Sequence, residues 1–95
     1  MKIVESNTYK QQVRIISLNI KKDKPSAAIK FAKELKAKVN NIVNMPKKHR
    51  KSYYYDDENI RDMVYRGYTI VYEIFGDTIE IQMIFNQNLP IVKEN

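Results

Sequence analysis

Lys47-Lys48-His49-Arg50-Lys51 is the densest cluster of ionisable side chains in the chain, and Tyr53, Tyr54 and Tyr55 follow almost at once. Cations at this density neutralise phosphates, with an affinity that falls as salt rises. Rings beside them can stack on bases. Read plainly, the same run is a solvated connection, and neighbouring tyrosines in a strand send one ring into the core and the next to the surface. His49 is the only histidine, hence the only side chain whose ordinary pKa lies near neutrality. Metal-free RNA cleavage has three requirements: the 2′-hydroxyl deprotonated, the scissile phosphate neutralised and the leaving oxygen protonated. Lys47, Lys48, His49, Arg61 and Arg66 are the residues that could share those tasks. No carboxylate is placed by the sequence to orient His49. As a set that binds phosphate or a target, the candidates are Lys47, Lys48, Arg50, Lys51, Arg61 and Arg66. Arg61 leads that set because a guanidinium on a sheet face suits a phosphate or carboxylate. A structural pair with Glu80, or with neighbours of Asp62, is its other reading. Asp56-Asp57-Glu58 has the right residue types for a divalent cation. Three consecutive carboxylates in a turn cannot all point inward, so a solvated loop able to pair with the basic run is expected. Neither a metal site nor a cofactor is expected.

The elements that must position these residues are legible from periodicity. Lys2 to Glu5 reads as a short strand, and Ser6-Asn7-Thr8 as a helix start. From about Tyr9 to Lys22, Tyr9, Val13, Ile16 and Ile20 share one helical face. Ile15 and Leu18 fall off that stripe and could meet a partner segment; stray surface hydrophobes are the ordinary alternative. Asp23-Lys24-Pro25-Ser26 closes this helix and opens a second, since Pro fits a first turn. Ala28, Phe31, Ala32, Leu35, Val39 and Ile42 carry the second stripe to about Asn44, with Glu34 and Lys38 spaced as an i,i+4 pair. Met45-Pro46 ends it. The period then changes to two. Lys51 to Tyr55, Ile60 to Tyr65, Tyr68 to Phe75 and Thr78 to Phe85 read as strands, the last two joined by a turn at Gly76-Asp77.

The order β-α-α-β-β-β(-β) predicts an α+β domain spanning residues 1–95: a twisted antiparallel sheet with an N-terminal helical hairpin packed on one face. The other face, with Glu80, Gln82 and Arg61, would be available for function. The 95 residues include no cysteine, which excludes disulfides and thiol chemistry. No signal-like or membrane-length apolar run is visible, so a soluble cytoplasmic protein is expected, with no membrane partner. Net charge is +6, unevenly spread: residues 21–51 hold eleven Lys/Arg against Asp23 and Glu34, leaving a net −3 elsewhere. A positive face of this kind attracts polyanions or an acidic protein.

The ordered combination of motifs resembles the RelE/ParE toxin superfamily. Asp23-Lys24-Pro25-Ser26-Ala27-Ala28-Ile29-Lys30-Phe31, then Leu35, Val39, Ile42, Pro46 and Arg50, is similar to the ParE-type helical hairpin. Ile60-Arg61-Asp62-Met63, Gly67 to Ile74 and Gly76 to Ile81 resemble the strand signature shared by both branches. The resemblance covers almost the whole chain. It implies the toxin of a type II toxin–antitoxin (plasmid stabilisation) module, neutralised by a cognate antitoxin for which Ile15 and Leu18 are the candidate contacts. RelE-like members are ribosome-dependent mRNA endonucleases, whereas ParE-like members bind DNA gyrase and inhibit it. RelE-like ribonucleases usually place an Arg after the Gly-Tyr, where this chain has Thr69. They carry Arg, His or Tyr at the end of the last strand, where it has Phe85-Asn86-Gln87-Asn88-Leu89-Pro90. The ribonuclease set is largely missing, which favours a gyrase inhibitor without chemistry of its own. The His-Gly-Arg-Arg-like ending frequent in ParE-like members is absent too. The alternatives are an mRNA endonuclease, with the ribosome and mRNA as partners, a degenerate toxin that keeps antitoxin binding without activity, and a basic, non-toxic protein-interaction domain.

Overall fold

The computed structural model describes residues 1–86, so Gln87 to Pro90 of the stretch weighed above lie outside the described residues. In chain order the elements are β1 (Lys2–Glu5), α1 (Asn7–Asp23), α2 (Pro25–Asn40), a 3-10 turn (Asn41–Asn44), β2 (Arg50–Lys51), β3 (Ile60–Tyr65), β4 (Tyr68–Phe75) and β5 (Thr78–Asn86). Ser6 caps α1, its hydroxyl oxygen accepting from Tyr9 N at 3.0 Å. Lys24 closes α1 by donating its N–H to the Ile20 carbonyl at 2.9 Å, and Pro25 opens α2. The helices are thus antiparallel with one residue between them. The last turn expected of α2 tightens instead into the 3-10 turn.

All five strands form one sheet in the order β1-β5-β4-β3-β2. β2 to β5 pair antiparallel as expected, whereas β1 runs parallel to β5, so the sheet is mixed. The helical hairpin carries the chain from one edge of the sheet to the other, and nothing local to Lys2–Glu5 encodes that crossover. The β3–β4 turn places Arg66 at φ 49 and Gly67 at φ 83, the two left-handed residues of a type I′ hairpin turn. A β-bulge on β5 opposite Val71 and Tyr72 leaves Gln82 without a cross-strand partner. Past the end of β1, helix side chains take over that edge of β5. Ser6 Oγ donates to the Gln82 carbonyl at 2.8 Å, and Ile84 N–H donates to Gln12 Oε1 at 2.8 Å.

The core lies between helices and sheet. Tyr9, Phe31, Leu35, Val39 and Ile42 meet Met63, Tyr65, Ile70, Tyr72, Ile79, Ile81 and Ile84, with Val13, Ile16 and Ile20 packed against them. Both helical stripes therefore face inward except for Ala32, which is exposed, and Ile15 and Leu18 face out, 59% and 52% exposed.

The strand expected over Lys51 to Tyr55 is cut short. β2 ends at Lys51; Ser52 N–H still bonds the Ile60 carbonyl at 2.8 Å, but its hydroxyl then accepts from Tyr54 N at 3.2 Å and turns the chain. The tyrosine segment folds over the sheet face away from the helices. Tyr53 N–H donates to Asp62 Oδ2 at 3.2 Å, and Tyr54 reaches Phe85 edge-to-face at 5.3 Å. Under this cover Asp62, Thr69 and Val71 are buried. The face expected to be open is thus partly lidded.

Candidate functional site

The basic run leaves the 3-10 turn through Met45-Pro46 and returns as β2, and its shape is set by two core-side residues. Arg61 alternates with Asp62, so it shares the helix-side face with Met63 and Tyr65 rather than the far face with Glu80 and Gln82. Its guanidinium is occupied by backbone. Nε donates to the Glu58 carbonyl at 2.7 Å, while Nη1 donates to the carbonyls of His49 at 3.2 Å and Lys47 at 3.4 Å. Tyr72 adds a hydroxyl donated to the Pro46 carbonyl. Burial, offset in part by the charge of Arg61, pushes the Tyr72 phenol up to about 12, which leaves it a donor and not a proton shuttle near neutrality. Lys48 N–H closes the turn onto the Met45 carbonyl at 3.1 Å.

His49 lies edge-on to the Tyr72 ring at 6.2 Å. Burial, then the charges of Lys48 and Lys38, hold its imidazole below the usual histidine value. Among the described residues no carboxylate is hydrogen-bonded to either ring nitrogen. Arg50 lies 4.1 Å over the Tyr53 ring with its Nε 3.6 Å from buried Asp62 Oδ2. Lys51 pairs with Asp56 at 3.1 Å, the cross-loop pairing the acidic run allows; Asp57 accepts from Asn59 N at 2.8 Å and shapes the turn. Among the described residues no group of acidic, His or Cys side chains could hold a metal.

Lys47, Lys48, His49, Arg50, Lys51 and Arg61 therefore converge at the β2 edge, with Lys47 and Lys48 exposed and Arg61 bound beneath them. Arg66 does not join them. It lies five residues along β3 from Arg61, a separation of roughly 16 Å by strand rise. There Arg66 pairs with Glu34 at 2.8 Å, and the Tyr65 hydroxyl donates to the same carboxylate at 2.6 Å. This hydrogen bond first, then the cations Arg66 and Lys30, hold Glu34 below the usual carboxylate range against the opposing effect of desolvation. Glu34 thus bridges α2 to the hairpin instead of forming the i,i+4 pair with Lys38.

A second exposed surface lies on α1, where Ile15 and Leu18 line a shallow groove of about 560 Å³ with Asn19, Lys21 and Lys22. Sequence reasoning placed its apolar residues. It missed Tyr72 and Asp62; alternation puts Asp62 on one strand face with Ile60, which is buried, and Val64, which is exposed, so the pattern did not mark the carboxylate as buried.

A family model described as the ParE toxin of the type II toxin-antitoxin system parDE matches residues 3–88. Among solved structures, the chromosomal ParDE toxin–antitoxin system from P. aeruginosa is similar in fold. The TM-score is 0.76, at 12% sequence identity, over 90% of this chain and 95% of that chain. No curated protein matches the sequence. With 3–88 of 95 residues matched, the chain belongs to the ParE toxin family of type II toxin–antitoxin systems.

Proposed function

We propose that this ParE-family chain acts in the cytoplasm as a toxin that binds DNA gyrase and inhibits it, and that an antitoxin neutralises it by docking on α1 at Ile15 and Leu18. The observation that carries binding over cleavage is the engagement of the cations. Arg61 is held by three carbonyls and Arg66 by Glu34, and His49 stands against a phenol ring instead of a carboxylate. Such a set presents positive charge but assembles no proton-transfer pair around a phosphate. On the antitoxin side, an amphipathic helix laid along α1 would cover Ile15 and Leu18 while its acidic residues meet Lys21 and Lys22.

Three experiments test the reading. Induced expression should arrest growth with an SOS response, and the purified protein should inhibit supercoiling by gyrase. Translation collapse with cleaved transcripts would replace it with the endonuclease, for which Lys47, Lys48, His49 and the exposed Tyr53 are the available groups. Absence of any toxicity would favour the interaction domain or a degenerate toxin. Ile15→Glu with Leu18→Glu should release the antitoxin and leave the circular-dichroism spectrum unchanged; retained affinity dismisses that surface.

A further inference from the structure

Where the chain leaves the 3-10 turn, one apolar side chain faces outward beside two cations. Met45, 61% exposed, joins Pro46 and Ile74 in lining a groove of about 520 Å³ edged by Lys47 and Lys48. A single exposed hydrophobe needs no explanation. This one belongs to a loop fixed from below at every turn. The Tyr72 hydroxyl holds the Pro46 carbonyl, Arg61 holds the carbonyls of Lys47 and His49, and Lys48 N–H holds that of Met45. Neighbouring cations on a free loop would spread apart. Here the loop is preorganised with its methionine and its charges outward, so an occupant is spared the entropy of ordering it. Methionine adapts to many apolar shapes.

We propose that this groove is a docking site for an acidic segment of a partner protein. The segment seats one apolar side chain beside Met45 and Ile74 while its carboxylates meet Lys47 and Lys48. Charge decides the occupant: a second copy of a +6 chain is repelled, and a nucleic acid would use the lysines but leave the methionine unengaged. The groove lies past the far end of α2, on the order of 20 Å along the helical layer from Leu18 at 1.5 Å per residue. A partner here leaves the α1 face uncovered. Resting on the toxin reading above, the groove is then the surface that engages the target.

Wild type, Met45→Gln and Lys47→Gln/Lys48→Gln are compared for growth arrest, for inhibition of purified gyrase and for co-purification with the antitoxin. Met45→Gln is charge-neutral at an exposed position. It should weaken inhibition about tenfold, the scale of a lost apolar anchor, and leave antitoxin co-purification unchanged. The lysine pair should weaken inhibition and flatten its salt dependence. An active Met45→Gln beside a weakened lysine variant would overturn the proposal in favour of a polyanion, and loss of antitoxin binding by Met45→Gln would assign the groove to the antitoxin. A wild type that neither arrests growth nor inhibits gyrase would defeat the toxin reading itself, taking the groove with it.

Discussion

Arg61→Lys separates the two uses a guanidinium can have on this strand. The arginine makes three donations to loop carbonyls, at 2.7, 3.2 and 3.4 Å, from two different nitrogens and toward two separate loops, the one before β3 and the one before β2. A lysine keeps the charge but is a single point on a flexible stem. It can reach one of these carbonyls and cannot span Glu58 and His49 together. Donations from a charged group contribute about 1.5–3 kcal/mol when buried. These are partly wet, so about 1 kcal/mol each is reasonable for the two shorter ones and little for the longest. Truncation to alanine should thus cost about 2 kcal/mol, and the lysine, recovering one bond, about 1 kcal/mol. For a domain of this length that is a fall in Tm of about 4–8 °C. Urea denaturation gives the free energy, and amide hydrogen exchange gives its location: protection of the Lys48 N–H, which bonds Met45, should drop more than that of β4 and β5. A lysine variant as stable and as protected as wild type would refute the stapling role. If that variant also lost target inhibition, Arg61 would be returned to the set of contact residues.

Three further outcomes follow from the same geometry. Because burial and the nearby lysines hold the His49 pKa below 6.5, the unfolded chain takes up that proton first as the pH falls. Stability should decline on acidification through about pH 6.5 and level off below the folded pKa, and His49→Gln should remove that slope from a pH series of denaturation curves. Tyr54→Ala deletes the edge-to-face contact with Phe85 and uncovers Asp62, Thr69 and Val71; thermal unfolding should show a loss of about 2 kcal/mol, and an unchanged midpoint would mean that the segment does not cover that face in solution. Gly67→Ala meets no atom within 4 Å but forces a side chain onto φ +83, so calorimetry should find a purely conformational cost of about 1 kcal/mol, and a much larger one would reveal a contact.

The parts of the fold that local patterning determines were legible, and the parts that long-range contacts determine were not. Tyr9, Val13, Ile16 and Ile20 are spaced so that only a helix buries them together, and Ile79 and Ile81 so that only a strand does. Gly76 sits where the turn between β4 and β5 demands positive φ, as its place between two alternating runs implies. The three tyrosines have strong strand propensity, yet propensity loses to the Ser52 turn and to Tyr54 finding Phe85 thirty-one positions later. Alternation showed that Arg61 and Asp62 point opposite ways but not which one faces the helices. The packing of Met63 and Tyr65 on that side decides it, and makes Asp62 the buried carboxylate and Arg61 the staple. β1 could pair parallel only because a helical hairpin crosses the sheet, a property of the whole chain.

The charge pattern explains why the proposed docking surfaces lie on loop and helix and not on the sheet. Of the eleven cations in residues 21–51, only Lys36, Arg50 and Lys51 lie within 4.0 Å of a carboxylate among the described residues. The two arginines of β3 and its turn are occupied within the fold, one by carbonyls and one by Glu34. Internal demand has therefore taken Arg50, Arg61 and Arg66, whose forks suit fixed acceptors, and has left most of the lysines, which are mobile point charges, to solvent. Lysines of that kind contribute little to stability, and their mutual repulsion opposes it. A partner bearing carboxylates relieves the repulsion wherever it binds along this layer. Charge gives such a partner speed and orientation more than affinity. On the proposed docking surfaces the affinity would come from the apolar side chains set among the lysines: Ile15 and Leu18 beside Lys21 and Lys22, and Met45 beside Lys47 and Lys48.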